Sequence, residues 1–366
     1  MQALILVGGE GTRLRPLTST VPKPVVPLVD RPFIAYVIDW LRGHGVDDVV
    51  MSCGFLAAGV RNVLGDGARY GVRLRYVEEP RPLGTGGALK FAESLLDERF
   101  FMLNGDVLSD LDLSAQLAQH ERTGARGTLA LISVEDPSGY GLVRLHDDNA
   151  VREFVEKPSP DQIDSDLVNA GAYVLDREIV SVIPPQTNFS IERDVFPELV
   201  GDGLFGYPAD GYWLDIGTPR RYLQATFDIL ERNVRTTVGD RLERSFVSVA
   251  DGAQLEGRIV PPAVVDDGCR VEADARVGSL AVLGRGVRVG RGSTIEQSVV
   301  LQGAEIGEEC HLRDCIVGPG ARVGAATRIE DGAVLGEGVT VGADNVLAHG
   351  ARLYPGVTLP DGAIKF

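Results

Sequence analysis

The last third of the chain carries an apolar residue at every sixth position, and this period restricts the fold more than any other feature. A period of six fits neither an α-helix nor a simple strand, whereas it is typical of the hexapeptide repeats of a β-helix, in which three hexads make one coil. Glycine follows many of these residues and permits the corner turns. The series has five-residue steps after Leu301 and after Leu312, and comprises Val265, Val271, Val277, Leu283, Val289, Ile295, Leu301, Ile306, Leu312, Val317, Val323, Ile329, Leu335, Val341, Leu347, Leu353 and Leu359.

The first part of the chain alternates strand-like and helix-like segments. This alternation predicts an α/β domain with a mostly parallel sheet covered by helices on both faces, and such sheets bind ligands beyond the carboxyl ends of their strands. We expect a domain over 1–232, a polar connection over 233–254 and a β-helix over 255–366. The first strands are predicted at Gln2–Val7, Asp48–Cys53, Val72–Val77 and Phe100–Leu103, and the helices between them at Pro32–Leu41, Leu56–Leu64 and Gly87–Leu96.

Charge and composition exclude several classes of protein. The formal net charge is −16, which disfavours a nucleic-acid partner because such a partner needs a basic surface. No apolar run approaches the length of a membrane span, and the N-terminus lacks the pattern of a signal peptide, so we expect a cytoplasmic protein. Four scattered cysteines have no metal-binding spacing, and we interpret them as buried free thiols.

A glycine-rich loop follows the first predicted strand. It reads Gly8-Gly9-Glu10-Gly11-Thr12-Arg13-Leu14, and Pro22-Lys23-Pro24 comes shortly after it. Glycines after a strand let backbone N–H groups approach a phosphate closely, and Arg13 and Lys23 can neutralise its charge. The loop lacks the lysine of a Walker A motif and the third glycine of a dinucleotide-binding motif. The sequence therefore predicts a phosphate site of another type.

The loop resembles the signature of the sugar-1-phosphate nucleotidyltransferases. Further matching motifs follow in order along the chain: Pro82-Leu83-Gly84-Thr85-Gly86-Gly87, Asn104-Gly105-Asp106, Phe154-Val155-Glu156-Lys157-Pro158, Asn169-Ala170-Gly171 and Trp213-Leu214-Asp215-Ile216-Gly217-Thr218. The hexads resemble the left-handed β-helix of longer members. The resemblance covers nearly the whole chain and implies a Rossmann-like mixed-sheet nucleotidyltransferase domain followed by that β-helix.

The resemblance implies a role for residues in each motif. Asp106 and Asp215 would bind Mg²⁺, which prefers a few carboxylates together with phosphate oxygens. Arg13, Lys23, Asp106, Lys157 and Asp215 would form the catalytic set. The nucleotide would contact Leu6, Gly8, Gly9, Gly11, Thr12, Arg13, Lys23, Pro82, Gly84, Thr85 and Gly105. The sugar phosphate would contact Gly141, Glu156, Lys157, Asn169 and Gly171.

The substrates implied first are GTP and mannose 1-phosphate. Gly84-Thr85 resembles the guanylyl- and adenylyl-transferring members, and Glu78-Glu79-Pro80 resembles the mannose-1-phosphate guanylyltransferases. A uridylyl-, thymidylyl- or adenylyltransferase acting on glucose 1-phosphate is an alternative.

Two other functions stay open. One is a β-helix that also transfers an acyl group, and the other is a non-catalytic subunit that binds a nucleotide sugar. A regulatory subunit is expected to lose charged site residues, but Arg13, Lys23, Asp106, Lys157 and Asp215 are all present. We expect the β-helix to serve assembly or regulation, and the chain to form a homo-oligomer through the β-helix or the catalytic domain.

Overall fold

Two units make up the structure, a computed structural model that describes residues 1–54 and 56–365. The first unit comprises Met1–Glu10 and Ile34–Trp213, and the second comprises Gly11–Phe33 and Leu214–Phe366. No helix in the described part of the chain is both long and apolar enough to cross a membrane. The four cysteines, all among the described residues, are buried free thiols, as expected.

The first unit is built on a mixed sheet. Its middle strand, Gln2–Val7, pairs in parallel with Asp48–Cys53 on one side and with Arg99–Asn104 on the other. The strand is apolar because both neighbours and both faces bury it, and Ala3, Leu4 and Ile5 have no exposed surface. The sheet runs in the order Val151–Glu156, Gly141–Leu145, Leu167–Asp176, Arg99–Asn104, Gln2–Val7, Asp48–Cys53 and Arg73–Glu78.

The remaining strands extend this sheet with mixed directions. Leu167–Asp176 pairs antiparallel with Arg99–Asn104 and also with Gly127–Ser133, which in turn pairs in parallel with Leu204–Pro208. The unit also contains the short strand Val107–Ser109. Its helices are α1 (Phe33–Gly43, whose first residue belongs to the second unit), α2 (Ala57–Leu64), α3 (Gly84–Ala92), α4 (Leu113–Thr123) and α5 (Phe196–Leu199).

The predicted α/β alternation is confirmed, and α3 differs most from its predicted bounds. The prediction began this helix at Gly87, whereas it begins at Gly84. Consequently Gly84 and Thr85 lie in the first turn of the helix rather than in a loop before it. The backbone N–H groups of Gly86 and Gly87 donate to the carbonyl of Phe189 at 2.8 and 3.1 Å, and this anchors the early start.

The second unit begins with the rest of the glycine-rich segment. This part contains the 3₁₀ turns Thr12–Leu14 and Lys23–Val25 and the paired strands Pro27–Leu28 and Arg31–Pro32. After residue 214 the unit continues through α6 (Pro219–Glu231) and α7 (Thr237–Arg241). The Tyr222 hydroxyl of α6 is buried and donates to the carbonyl of Pro27, which joins the two parts of the unit.

Short strands of the second unit form three parallel sheets in the described part of the chain. Successive strands pass from one sheet to the next, which is the connectivity of a parallel β-helix; its left-handed sense stays a prediction. The first sheet contains Val247–Val249, Ala263–Val265, Ala281–Leu283, Val299–Val300, Ile316–Val317, Val334–Leu335 and Arg352–Leu353. The second contains Gln254–Leu255, Arg270–Val271, Arg288–Val289, Glu305–Ile306, Arg322–Val323, Thr340–Val341 and Thr358–Leu359. The third contains Arg258–Ile259, Arg276–Val277, Thr294–Glu296, His311–Arg313, Arg328–Ile329 and Val346–Leu347.

The hexad residues fill the interior of the β-helix, with one correction. The predicted series placed Leu301 inside, but the register pairs Val300 with Leu283 on one side and with Val317 on the other. The five-residue step therefore lies one hexad earlier than predicted. The prediction was wrong here because Val299, Val300 and Leu301 are consecutive and apolar, so the period alone did not select among them.

Candidate active site

The glycine-rich loop begins in the first unit with a backbone surface that carries no side chain. A Cβ atom at Gly54 would lie 2.8 Å from the carbonyl oxygen of Gly8, so these two glycines allow the strand ends to approach. At Gly9, no heavy atom of the described residues comes within 4 Å of an added Cβ. Gly9 is exposed and Gly8 is half-buried, so the backbone of this turn is accessible to a phosphate.

Glu79 packs against this loop and was not among the predicted site residues. Its Oε1 atom lies 3.3 Å from the position of a Cβ at Gly8 and accepts a hydrogen bond from the Ser52 hydroxyl at 3.0 Å. Its Oε2 atom accepts from the backbone N–H of Leu83 at 3.2 Å. Burial raises the pKa of this half-buried carboxyl above its usual range, against both hydrogen bonds. The sequence marked the position only through Glu78-Glu79-Pro80.

The first turn of α3 is bound to the segment 187–192. The Thr85 hydroxyl donates to Oε2 of Glu192 at 2.6 Å and accepts from the Ile191 N–H at 2.9 Å. A Cβ at Gly87 would lie 2.4 Å from the carbonyl oxygen of Thr187, so a glycine is required by close packing. These contacts give Gly87 and Thr85 a structural role that the sequence did not predict.

Asp106 follows the strand Arg99–Asn104 at its carboxyl end. The turn is tight: the Gly105 N–H donates to the carbonyl of Leu6 at 2.9 Å, and a Cβ at Gly105 would lie 2.5 Å from Cγ1 of Val7. Gly105 therefore fixes where the chain turns, and Asp106 is half-buried at that point. This is the sheet edge at which the alternating pattern predicted a ligand.

The predicted sugar-phosphate residues lie on neighbouring strands of the same sheet. A Cβ at Gly141 would lie 3.0 Å from Oε2 of Glu156, on the strand paired with it. Burial, followed by repulsion from Glu192, raises the pKa of Glu156 above its usual range, and the charges of Lys157 and Arg193 oppose this. The Glu156 carboxylate therefore lies beside a stretch of backbone that carries no side chain.

Lys157 follows directly and has a backbone conformation that favours glycine. Its φ is 51°, in the left-handed region, and its N–H donates to the carbonyl of Tyr140 at 3.1 Å. The side chain is exposed. A left-handed backbone conformation at a residue other than glycine costs free energy. Such residues often occur at functional sites, where the backbone directs the side chain toward a ligand.

Asn169 and Gly171 form a small network with Tyr173. The Asn169 side chain donates to the Tyr173 hydroxyl at 2.8 Å and accepts from the Gly171 N–H at 3.0 Å. Gly171 has φ 72°, and a Cβ there would lie 2.7 Å from Nδ2 of Asn104. The sequence predicted Asn169 and Gly171 but not the buried tyrosine that holds them.

An aromatic pair stands beside this network and was also missed. The rings of Tyr140 and Trp213 meet edge to face with their centroids 5.1 Å apart. The Trp213 indole donates to the carbonyl of Ala170 at 2.8 Å. The pair thus connects the turn before Gly141 with the turn between Asn169 and Gly171.

In the second unit the loop continues with Gly11, Thr12 and Arg13. Gly11 has φ 63°, and a Cβ there would lie 3.1 Å from Cβ of Lys23. The Thr18 hydroxyl donates to the carbonyl of Gly11 at 2.7 Å. Thr12 and Arg13 are exposed, and Lys23 is half-buried. The fold therefore brings Lys23 against the loop.

Asp215 is held by an arginine that the sequence did not single out. Arg221, in the first turn of α6, donates to Oδ2 of Asp215 at 2.9 Å. The two side chains lie at the join between the strand Trp213–Asp215 and the helix, where Thr218 caps the helix by accepting from the N–H of Arg221 at 3.3 Å. Asp215 is half-buried there.

Asp106 in the first unit and Asp215 in the second each carry a carboxylate, and carboxylate oxygens are among the ligands that Mg²⁺ prefers. Among the described residues there is no group of three or more histidine, cysteine or acidic side chains positioned to hold a metal.

Comparisons with known proteins cover both units. Residues 2–232 match the family described as nucleotidyl transferase, and residues 259–362 match the GMPPB C-terminal domain. The mannose-1-phosphate guanylyltransferase of Mycobacterium tuberculosis is 36% identical over 314 residues, covering 85% of this chain and 82% of that protein. The catalytic subunit beta of the Danio rerio mannose-1-phosphate guanylyltransferase is 35% identical over 345 residues, covering 92% of this chain and 91% of that protein.

Two further relatives differ in the nucleotide that their names or titles mention. The UTP--glucose-1-phosphate uridylyltransferase of Synechocystis is 30% identical over 341 residues, covering 87% of each protein. The crystal structure of HddC from Yersinia pseudotuberculosis complexed with GMP-PN has a TM-score of 0.52 and 28% identity, and covers 61% of this chain and 97% of that one. With the family matches, these relatives confirm the resemblance drawn from the motifs. The chain belongs to the nucleotidyl transferase family, as a relative of the mannose-1-phosphate guanylyltransferases.

Proposed function

We propose that this chain is a mannose-1-phosphate guanylyltransferase, which joins GTP and mannose 1-phosphate to give GDP-mannose and pyrophosphate. The observation that carries the proposal is the similarity over both units to relatives with this activity, 36% and 35% identical over most of their lengths. The match of residues 259–362 to the GMPPB C-terminal domain adds to it, because this match lies outside the catalytic domain.

Glu79 supports guanine as the base. Guanine presents two adjacent donors, the N1–H and the 2-amino group, and a carboxylate can accept from both. The hydrogen bonds from Ser52 and Leu83 orient the Glu79 carboxylate and leave each oxygen with a further lone pair. Uracil and adenine lack this pair of donors. We therefore propose that Glu79 accepts from the donor edge of guanine.

The other nucleotide contacts are proposed from the motifs. Backbone groups of the loop would hold the phosphates, and Arg13 and Lys23 would neutralise the leaving pyrophosphate. The proposed nucleotide contacts are Leu6, Gly8, Gly9, Gly11, Thr12, Pro82, Gly84, Thr85 and Gly105.

Lys157 would hold the phosphate of mannose 1-phosphate, whose oxygen attacks the α-phosphorus in line with the leaving pyrophosphate. Glu156, Asn169 and the backbone at Gly141 and Gly171 would fix the sugar hydroxyls. Both reactants are anions, so positioning and charge stabilisation account for most of the rate enhancement. Asp106 and Asp215 would bind Mg²⁺, which supplies charge neutralisation at the phosphates.

A uridylyltransferase acting on glucose 1-phosphate is the second candidate, favoured by the 30% identity to the Synechocystis protein. Thymidylyl and adenylyl transfer are further variants of the same chemistry. The experiment measures kcat/KM for GTP, ITP, UTP, dTTP and ATP with mannose 1-phosphate and with glucose 1-phosphate. ITP differs from GTP only by the absence of the 2-amino group, so it tests the contact with Glu79 directly.

The wild-type protein is expected to prefer GTP over ITP by at least about tenfold, the effect of one hydrogen bond to a charged group. Glu79→Gln should remove most of this preference, and Glu78→Gln is the matched control because Glu78 is exposed. A preference for UTP with glucose 1-phosphate would replace the first candidate by the second. An unchanged GTP/ITP ratio in Glu79→Gln would exclude Glu79 from base recognition.

We further propose a cytoplasmic location and the domain bounds 1–232 and 255–366, with a connection over 233–254. The connection contains α7 and the strand Val247–Val249, which pairs in parallel with Ala263–Val265.

We also propose that the chain forms a homo-oligomer. The first coil of the β-helix exposes the apolar side chains of Phe246, Val249 and Leu255. Exposed apolar side chains at the open end of a β-helix support association there.

A further inference from the structure

The first sheet of the β-helix differs from the other two in its outward-facing residues. Side chains alternate along a strand, so the residue before each interior position points outward. In the second and third sheets this residue is often an exposed arginine, as at Arg288 and Arg328. In the first sheet it is apolar and buried, and the paired strands align these residues in one column of Val264, Val282, Val299, Ile316 and Val334. The outward face of the first sheet is therefore covered by other parts of the protein.

Arg352 ends this column. It pairs in register with Val334 and precedes the interior residue Leu353, but its side chain is exposed. Its Nη1 atom donates to the backbone carbonyls of Arg15 at 3.0 Å and Arg13 at 3.4 Å. A charged side chain at the end of an apolar column thus contacts the glycine-rich segment, which belongs to the same unit.

Two other outward arginines of the β-helix bond to carboxylates instead. Nη2 of Arg328 lies 3.6 Å from Oε2 of Glu330, and Nη1 of Arg276 lies 3.4 Å from Oε1 of Glu296. Exposed ion pairs of this kind contribute little to stability. Arg352 differs because its acceptors are backbone carbonyls of another segment, so its hydrogen bonds restrict the main chain of that segment.

The 3₁₀ turn Thr12–Leu14 carries Arg13 and has hydrogen bonds of its own. The N–H groups of Leu14 and Arg15 donate to carbonyls three residues earlier, at 3.0 and 3.2 Å. The bonds from Arg352 fall on different carbonyls, those of Arg13 and Arg15. Because 3₁₀ turns have poorer hydrogen-bond geometry than α-helices, an outside contact contributes much to fixing the backbone of Arg13.

We propose that Arg352 is a positioning residue of the active site, through which the β-helix fixes the backbone of Arg13. The inference rests on the proposed function and gives the β-helix a part in catalysis that needs no second ligand. Arg13 stabilises the leaving pyrophosphate only while its guanidinium group is held in place, and a displacement of about 1 Å can cost about 100-fold in rate. Arg352 acts through Arg13 and does not contact the substrates.

Steady-state kinetics is the first test. Arg352→Gln should lower kcat at least about fivefold, the effect of losing one hydrogen bond of typical strength. The KM for mannose 1-phosphate should stay unchanged, whereas the KM for pyrophosphate in the reverse reaction should rise, because Arg13 holds this product. Arg352→Lys keeps a cation and should recover part of the loss.

Arg328→Gln is the matched control, because Arg328 is exposed and precedes an interior residue as Arg352 does. It should retain the wild-type kcat. Equal losses in Arg328→Gln and Arg352→Gln would overturn the proposal, and so would an equal rise in the KM for both substrates.

A double-mutant cycle tests whether Arg352 acts through Arg13. Arg13→Gln alone should lower kcat. The side chain that Arg352 positions is then absent, so adding Arg352→Gln should lower kcat no further. Losses that multiply in the double variant would show that Arg352 acts independently of Arg13 and would exclude the proposed role.

Hydrogen exchange of the turn provides a readout that does not depend on turnover. In Arg352→Gln the amide hydrogens of Leu14 and Arg15 should exchange at least about fivefold faster than in the wild type, because the turn opens more often. Arg328→Gln should leave both rates unchanged. If no triphosphate and sugar phosphate pair is turned over, the proposed function fails, but these rates still show whether Arg352 holds the turn. Exchange at the wild-type rate in Arg352→Gln would contradict the inference.

Discussion

Arg13 packs directly against Gly217: its Nη2 atom lies 2.9 Å from the position that a Cβ atom at residue 217 would occupy. Oδ2 of Asp215 lies 3.3 Å from the same position. Because residue 217 has no side chain, the Arg13 guanidinium group can occupy this position. The glycine of the motif Asp215-Ile216-Gly217 acts on the residue proposed to stabilise the leaving pyrophosphate.

Gly217→Ala should therefore lower kcat without unfolding the protein. The added methyl group displaces the Arg13 side chain, and a displacement of about 1 Å in a catalytic group can cost about 100-fold in rate. Steady-state kinetics and the melting temperature measure the two effects. Gly43→Ala is the control, because no described atom lies within 4 Å of the added Cβ there. Wild-type kcat in Gly217→Ala would show that the position of Arg13 is unimportant.

Lys157→Ala should weaken the use of the sugar phosphate far more than the binding of the triphosphate. Loss of one charge-assisted hydrogen bond predicts an increase of about 10- to 100-fold in the KM for mannose 1-phosphate. Calorimetry with GTP should show an unchanged Kd. Arg152→Ala, at an exposed residue of the strand that precedes Lys157, controls for a general effect of lost charge. Equal losses for both substrates would contradict the assignment of Lys157.

Glu156→Gln should make the protein more stable at neutral pH while it lowers activity. Burial and the charge of Glu192 raise the pKa of Glu156 in the folded state. The folded state therefore holds this proton more tightly than the unfolded state, and stability falls as the pH rises from the usual pKa of the carboxyl through the raised one. The Glu156→Gln side chain does not ionise, so the variant avoids this loss of stability.

Melting temperatures as a function of pH measure the effect. The variant should melt higher than the wild type at pH 8, and the difference should shrink on acidification through the raised pKa and vanish below the usual pKa of the carboxyl. Glu153→Gln, exposed on the same strand, should show no such gain. A lower melting temperature of Glu156→Gln at pH 8 would be the opposite of the expected result.

Thr85→Val should loosen the junction between α3 and the segment that carries Glu192. The Ile191 N–H would lose its acceptor and Glu192 a donor, which predicts a loss of about 1–3 kcal/mol in the free energy of unfolding. Denaturant unfolding measures it. Thr85→Ser keeps the hydroxyl and should retain most of the stability; equal losses in both variants would mean that the hydroxyl is not responsible.

The architecture could be predicted from the sequence because it follows from periodicity. A period of six required a β-helix, and alternating apolar segments required a layered α/β sheet. The predictions were wrong where the period of apolar residues does not distinguish between neighbouring positions or where a distant contact decides the structure. Three consecutive apolar residues concealed that Val300 and not Leu301 is interior. The early start of α3 depends on the carbonyl of Phe189, which is 105 residues after Gly84 in the chain.

The candidate site could be predicted only where motifs marked it. Gly8, Gly141 and Gly171 were found through motifs, and the structure explains each glycine by a close approach. Glu79, Glu192 and Arg221 were missed because they act through contacts with residues distant in the chain or in the next helix. The segment Ser190 to Asp194 gave no signal in the sequence by itself. Its meaning depends on the contact of Glu192 with Thr85.

The central claim is that this chain transfers GMP to mannose 1-phosphate. The most direct measurement is a competition reaction with Mg²⁺ in which GTP, UTP, dTTP and ATP compete at equal concentration for mannose 1-phosphate and glucose 1-phosphate, followed by separation of the nucleotide sugars formed. GDP-mannose is expected as the main product from the earliest time point. UDP-glucose as the main product, or no nucleotide sugar at all, would contradict the account.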